Sequence, residues 1–474
     1  MTKETKPLRT WPQVLTVEPI ARAQGEIRLP GSKSMSNRAL LLAALAEGST
    51  QLSGLLDADD TRVMITALRA LGVAIAIDGD RARVSGCAGV FPVRQAELHL
   101  GNAGTAMRPL AAVLAFSGGH YRLDGVARMR ERPIGDLVEA LNAMGARIRY
   151  LGAHGFPPLL IEPAGATVAA ISDSSAGAAA RPATDRSIRV RGDVSSQFVS
   201  GLLMAAPLLA PVEGLRIAVE GELISQPYVA MTLAMMRDFG GRVHQSGGAY
   251  RVEAVRYRSP GHYAIEGDAS SASYFLALGA VAGGPVRVRG VGRGSLQGDL
   301  AFTQVLEAMG ASIEVGSDWV QASTDVATKP GVTPAPDGSA ANLLRLRAVD
   351  TDATAIPDAA MTTAVLALFA QGTTRLRGIG SWRVKETDRI AAMASELGKL
   401  GASVQTGPDW ISIAPPPVLR EAWIDTYDDH RMAMSLAIAA AGGVRVHIRD
   451  PGCVAKTFPD YFDQLERLCA PWRT

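Results

Sequence analysis

Cysteine is nearly absent. Among 474 residues only Cys87, Cys453 and Cys469 occur, too few and too scattered for a disulfide framework or a paired-ligand zinc site, which favours a reducing cytosol. Charge of one sign is also missing. With 48 Lys and Arg against 46 Asp and Glu the net charge is +2, so there is no basic excess with which to track nucleic acid or an anionic membrane. Long apolar runs are lacking too. ALLLAALA from Ala39 and MAMSLAIAAA from Met432 stop well short of the ~20 residues that a membrane span needs. The opening MTKETKPLRTWPQV has no apolar core of the kind a signal peptide carries. Cofactor motifs are absent as well. GSKS at Gly31 lacks the Walker spacing, and no dinucleotide fingerprint, HExxH or G-x-S-x-G appears. The expectation is a cytoplasmic protein without metal, cofactor, nucleic acid or membrane partner.

What is present is repetition. The length exceeds one ordinary core and suggests two or more domains. A short apolar helix, a Gly-containing turn and an alternating strand recur six times, beginning near Ala39, Pro109, Gly201, Ser273, Thr362 and Met432. Between these units run amphipathic helices ending at glycine, as in ITALRALG, VEALNAMG, TLAMMRDFG, VLEAMG and ELGKLG. Each such glycine is where a left-handed C-cap is expected. The helices that are apolar all round should be buried, and the amphipathic ones should lie outside. Six units most simply make two domains of three. Two Ala/Pro-rich stretches, GATVAAISDSSAGAAARPATDRS and DVATKPGVTPAPDGSAAN, read as surface loops.

The polar segment ahead of each apolar helix carries the chemistry. In order these are PGSKSMSNR, LGNAGTAMR, GDVSSQF, GDASSAS, IPDAAMT and YDDHRMA. Small residues at a helix N-terminus offer free N–H groups and a positive dipole end to phosphate or carboxylate. Simple N-capping explains any one of them. Six together, several with a Lys or Arg that capping does not need, point to anionic ligands. In WRVKETDR, Lys385 and Arg389 are four apart and would share a helix face. In DDHR, Arg431 would sit at a helix N-terminus, unfavourable unless an anion lies against it. His430 alone reads as structural.

These segments, with MRERPIG ending at Gly135 and KTFPDYF from Lys456, resemble the 5-enolpyruvylshikimate-3-phosphate synthase family in their order and over nearly the whole chain. The resemblance implies an α/β fold of two similar domains, each of three βαβαββ-type units in an inside-out α/β barrel. A lower domain would span 31–266 and a discontinuous upper domain 1–30 and 267–474, with the active site in the cleft between them. It also implies two small-molecule partners, phosphoenolpyruvate and shikimate 3-phosphate, and a monomer is expected.

Carried over onto this sequence, shikimate 3-phosphate would be held by Lys33, Ser34, Arg38, Ser195, Ser196, Gln197 and Ser225, with Tyr228 beside them. Asp358, Ser381 and Lys385 would contact the shikimate ring, Ser381 standing where the family usually has Asn. Phosphoenolpyruvate would be held by Lys33, Asn102, Gly104, Arg132, Gln197, Arg389, Arg431 and Lys456. The implied reaction adds the 5-hydroxyl to C2 of phosphoenolpyruvate, passes through a tetrahedral intermediate and eliminates phosphate. Asp358 is the candidate for the hydroxyl proton, and Glu386, Lys33 and Lys456 compete for the other transfers. LGNAGTAMRP matches the glyphosate-sensitive type.

Two alternatives remain at this point. A UDP-N-acetylglucosamine enolpyruvyl transferase would share the fold but use a loop cysteine, for which Cys453 is the candidate. A non-catalytic six-repeat scaffold would need a basic inner surface and no concentrated polar heads.

Overall fold

The computed structural model describes residues 10–164, 187–209, 214–324 and 346–471. The two Ala/Pro-rich stretches fall almost wholly outside these residues. The described chain divides into two compact units. One spans Ser32–Ile265, and the other joins the segment ending at Gly31 to the chain from Glu266 onward.

In the first unit the repeat is explicit. Strand Gln95–His99 leads to helix Gly104–Leu114, strand His120–Asp124, helix Gly135–Ala143, then strands Arg147–Tyr150 and Leu159–Glu162. That order is βαβαββ. Within the sheet the first strand pairs parallel with the second, and the last two add antiparallel beside it. Ser187–Arg191, Leu215–Glu220, Ala249–Val252 and Val243–Ser246 repeat the same pairing. The third sheet, of His262–Ala264, Ser49–Ser53, Arg81–Ser85 and Ile75–Asp78, takes its parallel strand from the far end of the unit.

The second unit follows the same scheme. Asp350–Asp352, Thr374–Arg377, Ile411–Ala414 and Ser403–Thr406 form one such sheet. Ile20–Arg28, Gly283–Arg289, Trp319–Ser323 and Ser312–Val315 form another, extended by Cys469–Pro471. The sheet of Ala422–Ile424 and Val446–Arg449 is completed by Val14–Val17 from the start of the chain. The expected pair of three-unit bodies is thus present, each around its own apolar core.

The helices predicted to be apolar all round are the buried ones. Every residue of Ala269–Val281, Ala360–Leu366 and His430–Leu436 is buried, as are all but Ser34 in Lys33–Leu45. Amphipathic helices such as Asp59–Ala70 and Arg389–Lys399 bury one face only. The five glycines that close the amphipathic helices, Gly72, Gly145, Gly240, Gly310 and Gly401, all have positive φ, as a left-handed C-cap requires. The repetition reaches the hairpin turns. Gly316–Trp319 and Gly407–Trp410 both read G-x-D-W, with Arg287 lying 4.0 Å over the Trp319 ring and Arg375 4.7 Å over Trp410.

Candidate active site

The first unit gathers its charges at helix starts. Ser32 caps the Lys33–Leu45 helix by accepting from the Met35 N–H. This places Lys33, itself buried, 3.3 Å from the Asp60 carboxylate. One turn further on, Arg38 is buried and donates from Nε to Thr232 Oγ1 at 2.7 Å, from Nη1 to the Ser34 carbonyl and from Nη2 to Ser200 Oγ. All of these acceptors are neutral. Burial therefore lowers the Arg38 pKa to about 10, partly opposed by the neighbouring Tyr228 phenol. The guanidinium is still cationic at neutral pH and would gain from an anion laid against it.

A second group forms around Gly104, which starts a buried helix. Arg132 Nη1 donates to both the carbonyl and the side-chain oxygen of Asn102, at 3.0 and 2.9 Å. A methyl group added at Gly104 would lie 2.8 Å from Arg132 Nη2, 2.9 Å from Arg108 Nη1 and 2.9 Å from Gln197 Oε1. The bare Cα thus leaves a small space edged by two guanidinia and an amide. Ser196 opens its helix and is buried, while Ser195 Oγ accepts from the Gln197 N–H. Ser225 is buried with φ 53°, and its carbonyl accepts from the Tyr228 N–H.

The second unit centres on Asp358. Its Oδ1 accepts from Arg389 Nη1 at 2.9 Å and lies 3.6 Å from Lys385 Nζ, and its Oδ2 accepts from Arg431 Nη2 at 2.9 Å. Arg389 also donates to Glu386 at 2.9 Å and to Asp429 at 2.7 and 3.3 Å. Burial alone would raise the Asp358 pKa, but Arg431, Lys385 and Arg389 together hold it well below the usual carboxylate range. Burial lowers the Lys385 pKa, opposed by Asp358 and reinforced by Arg389. Arg389 is pushed up in spite of its burial by Asp429, Glu386 and Asp358. Lys456 is buried at the end of a short turn, Pro451–Lys456, and its charge acts on Asp428. Ser381 is half-buried in Gly380–Val384. The Trp382 indole beside it donates to the carbonyl of Pro357, the residue before Asp358.

Two expectations need correction, and the anion expected against Arg431 is present within the protein. Lys385 and Arg389 do not share a helix. The Asp388 side chain accepts from the Ala391 N–H and so starts the helix at Arg389, and Lys385 is extended ahead of it. The two cations meet on Asp358 instead. The anion against Arg431 is the protein's own Asp358, and Asp429 caps that helix through the Arg431 N–H. The GDASSAS head also departs from expectation, because its backbone N–H groups are taken up internally. Asp268 accepts from the Ser270 and Ser271 N–H groups, and Ser273 shares a hydrogen bond with Thr362. It is an N-cap rather than an open anion site.

Sequence reasoning missed Asp60, Arg108, Tyr274 and Asp429. Tyr274 lies in an apolar helix, and its hydroxyl accepts from Arg431 Nη1 at 3.1 Å. Asp429 was visible in DDHR as the residue at the capping position. His430 is wholly buried with Nδ1 3.6 Å from Asp429. Burial pushes the Cys453 thiol well up, opposite to what a nucleophilic loop cysteine requires. Among the described residues no helix is long and apolar enough to cross a membrane, and no group of three or more His, Cys, Asp or Glu is placed to hold a metal ion.

A family model described as EPSP synthase (3-phosphoshikimate 1-carboxyvinyltransferase) matches residues 17–465. The 3-phosphoshikimate 1-carboxyvinyltransferase of Thiobacillus denitrificans is 58% identical over 454 residues, covering 94% of this chain and 97% of that protein. Its namesake from Nitrosomonas europaea is 57% identical over 461 residues, covering 96% and 99%. Among solved structures, EPSP synthase from Acinetobacter baumannii gives a TM-score of 0.73 at 24% identity, covering 97% of this chain and 99% of that one. The enolpyruvyl transferase NikO from Streptomyces tendae gives 0.69 at 21%, covering 96% and 97%. These two share the fold, and fold alone does not separate enolpyruvyl transferases from one another. The full-length sequence relatives do, and by the family model and their identity this chain belongs to the EPSP synthase family.

Proposed function

We propose that the chain transfers the enolpyruvyl group of phosphoenolpyruvate to the 5-hydroxyl of shikimate 3-phosphate and releases phosphate, a step of the shikimate pathway towards aromatic amino acids. The observation that carries this reading is the convergence on Gly104. Arg108, Arg132 and Gln197, drawn from three separate motifs, edge one space that a side chain at Gly104 would fill, and Asn102 holds Arg132 in place. Planar guanidinium forks suit the carboxylate and phosphate of phosphoenolpyruvate. Arg38, held only by neutral partners, suits the phosphate of shikimate 3-phosphate. Lys33, Ser34, Ser195, Ser196, Ser225 and Tyr228 are assigned with it, and Ser381, Lys385, Arg389, Arg431 and Lys456 are assigned to the same two ligands.

Asp358 is the proposed acceptor of the 5-hydroxyl proton. Hemmed in by three cations, it is a weak base in the free protein. Anionic substrates that draw Arg389, Arg431 and Lys385 toward themselves would raise its basicity as they bind. Glu386, Lys33 and Lys456 are the candidates for the proton transfers at C3 of phosphoenolpyruvate. The reading includes domains over 31–266 and over 1–30 with 267–474, both contributing to one site. It includes a monomeric, cytoplasmic enzyme of the glyphosate-sensitive type. Phosphate release from phosphoenolpyruvate tests it: release with shikimate 3-phosphate and not with UDP-N-acetylglucosamine is expected, and the reverse would sink it.

A further inference from the structure

Glu396 is a wholly buried carboxylate that none of the assigned site contacts explains. It lies on the Arg389–Lys399 helix, two turns beyond Arg389 and so on nearly the same side. Its Oε1 accepts from the Tyr427 hydroxyl at 2.7 Å. Its Oε2 accepts from the Asp425 N–H at 3.1 Å and from Lys399 Nζ at 2.7 Å. Lys399 in turn donates to the Asp425 carboxylate and the Trp423 carbonyl. Among the described residues, every hydrogen bond that the Glu396 carboxylate accepts therefore comes from the Trp423–Tyr427 segment or from a lysine that holds the same segment.

That segment leads straight into the second unit's charge cluster. Tyr427 and Asp428 both adopt left-handed backbone, with φ 55° and 54°, which non-glycine residues hold only when their surroundings fix them. The next residue, Asp429, binds Arg389 Nε and caps the helix that carries Arg431. Arg389 at the start of the helix and Glu396 two turns along thus grip one turn at two points. A buried charge is costly unless all its contacts are made, and here each of them fixes this turn.

We propose that Glu396 and Tyr427 are positioning residues that hold the Asp428–Arg431 turn so that Arg431 meets phosphoenolpyruvate. This rests on the assignment of Arg431 to that substrate. Tyr427 is partly exposed, so Tyr427→Phe removes one hydroxyl with little risk to folding. The KM for phosphoenolpyruvate should rise about 3–10-fold in this variant, the scale of one lost hydrogen bond. The kcat and the KM for shikimate 3-phosphate should stay within about twofold, as expected when only ground-state and transition-state binding of one ligand weaken alike. Glu396→Ala should raise the same KM further, and Glu396→Gln, which keeps an acceptor for Tyr427, should recover part of the loss. Arg431→Lys serves as the reference. If it raises the phosphoenolpyruvate KM while Tyr427→Phe and Glu396→Ala, both folded by circular dichroism, leave it unchanged, the clamp is overturned and Glu396 serves stability only. If Arg431→Lys itself leaves that KM unchanged, the assignment beneath the clamp falls and the clamp with it.

Discussion

At the scale of single residues, Asp358 and Gly104 separate the proposed roles most sharply. Asp358 touches Arg389, Arg431 and Lys385 together. If it takes the hydroxyl proton, Asp358→Ala should lower kcat by the 10²–10⁴-fold typical of a lost acid–base group. Turnover within about tenfold of the parent in a steady-state assay would remove it from that role. At Gly104 a methyl would press on the ends of two arginines and a glutamine, all able to shift. Gly104→Ala should therefore fold normally, raise the KM for phosphoenolpyruvate and weaken glyphosate inhibition more strongly. Unchanged inhibition would defeat the packing argument. Which residues could be read in advance follows from sequence distance. Asp429 and Ser32 sit beside the groups they cap, so local motifs display them. Tyr274 reaches Arg431 across 157 positions and Glu396 reaches Tyr427 across 31. Both belong to stretches whose composition says only helix.

At the scale of elements, the apolar helices and the glycine C-caps could be read because periodicity and punctuation are local signals. The Lys385–Arg389 pairing was misjudged because spacing alone ignored Asp388, whose cap resets the start of the helix. The Gly380–Val384 turn illustrates the coupling between an element and the chemistry. Trp382 is buried and its indole holds the Pro357 carbonyl at 2.6 Å, fixing the backbone that presents Asp358. Trp382→Phe should cost about 1–3 kcal/mol in urea unfolding, since it leaves that carbonyl unsatisfied, and should lower activity alongside. Acid should strain the same cluster. The Asp358 carboxyl is held below its unfolded value of about 3.9, so the unfolded chain binds the proton first as pH falls. The stability this contributes is complete above about pH 5 and is lost as the pH drops through the unfolded value toward the folded one. Asp358→Asn should flatten the acid limb of the stability profile, and a limb as steep as the parent's would contradict the network.

At the scale of the whole molecule, six repeating units in two bodies of three were legible from recurrence, while the βαβαββ form of each unit came from the family resemblance. The strand that completes each body's remaining sheet was not legible. Val14–Val17 pairs with Val446–Arg449, and His262–Ala264 with Ser49–Ser53. Strands this short carry little pattern of their own. The proposed function requires substrates to draw residues of both bodies onto one reaction, so shikimate 3-phosphate should reduce the radius of gyration in small-angle scattering. A profile identical with and without it would argue against closure.

Those two strand pairings also set a timetable for synthesis. Everything that Ser32–Ile265 needs has been translated once Ile265 leaves the ribosome, so this body can finish folding while the rest is still being made. The other body owns the earliest strands, Val14–Val17 and Ile20–Arg28, yet their partners include Val446–Arg449 and Cys469–Pro471, among the last segments made. Ile20–Arg28 can pair once Gly283–Arg289 has been made, but Val14–Val17 must wait for Val446–Arg449, and over that interval it is a segment for which a nascent-chain chaperone has use.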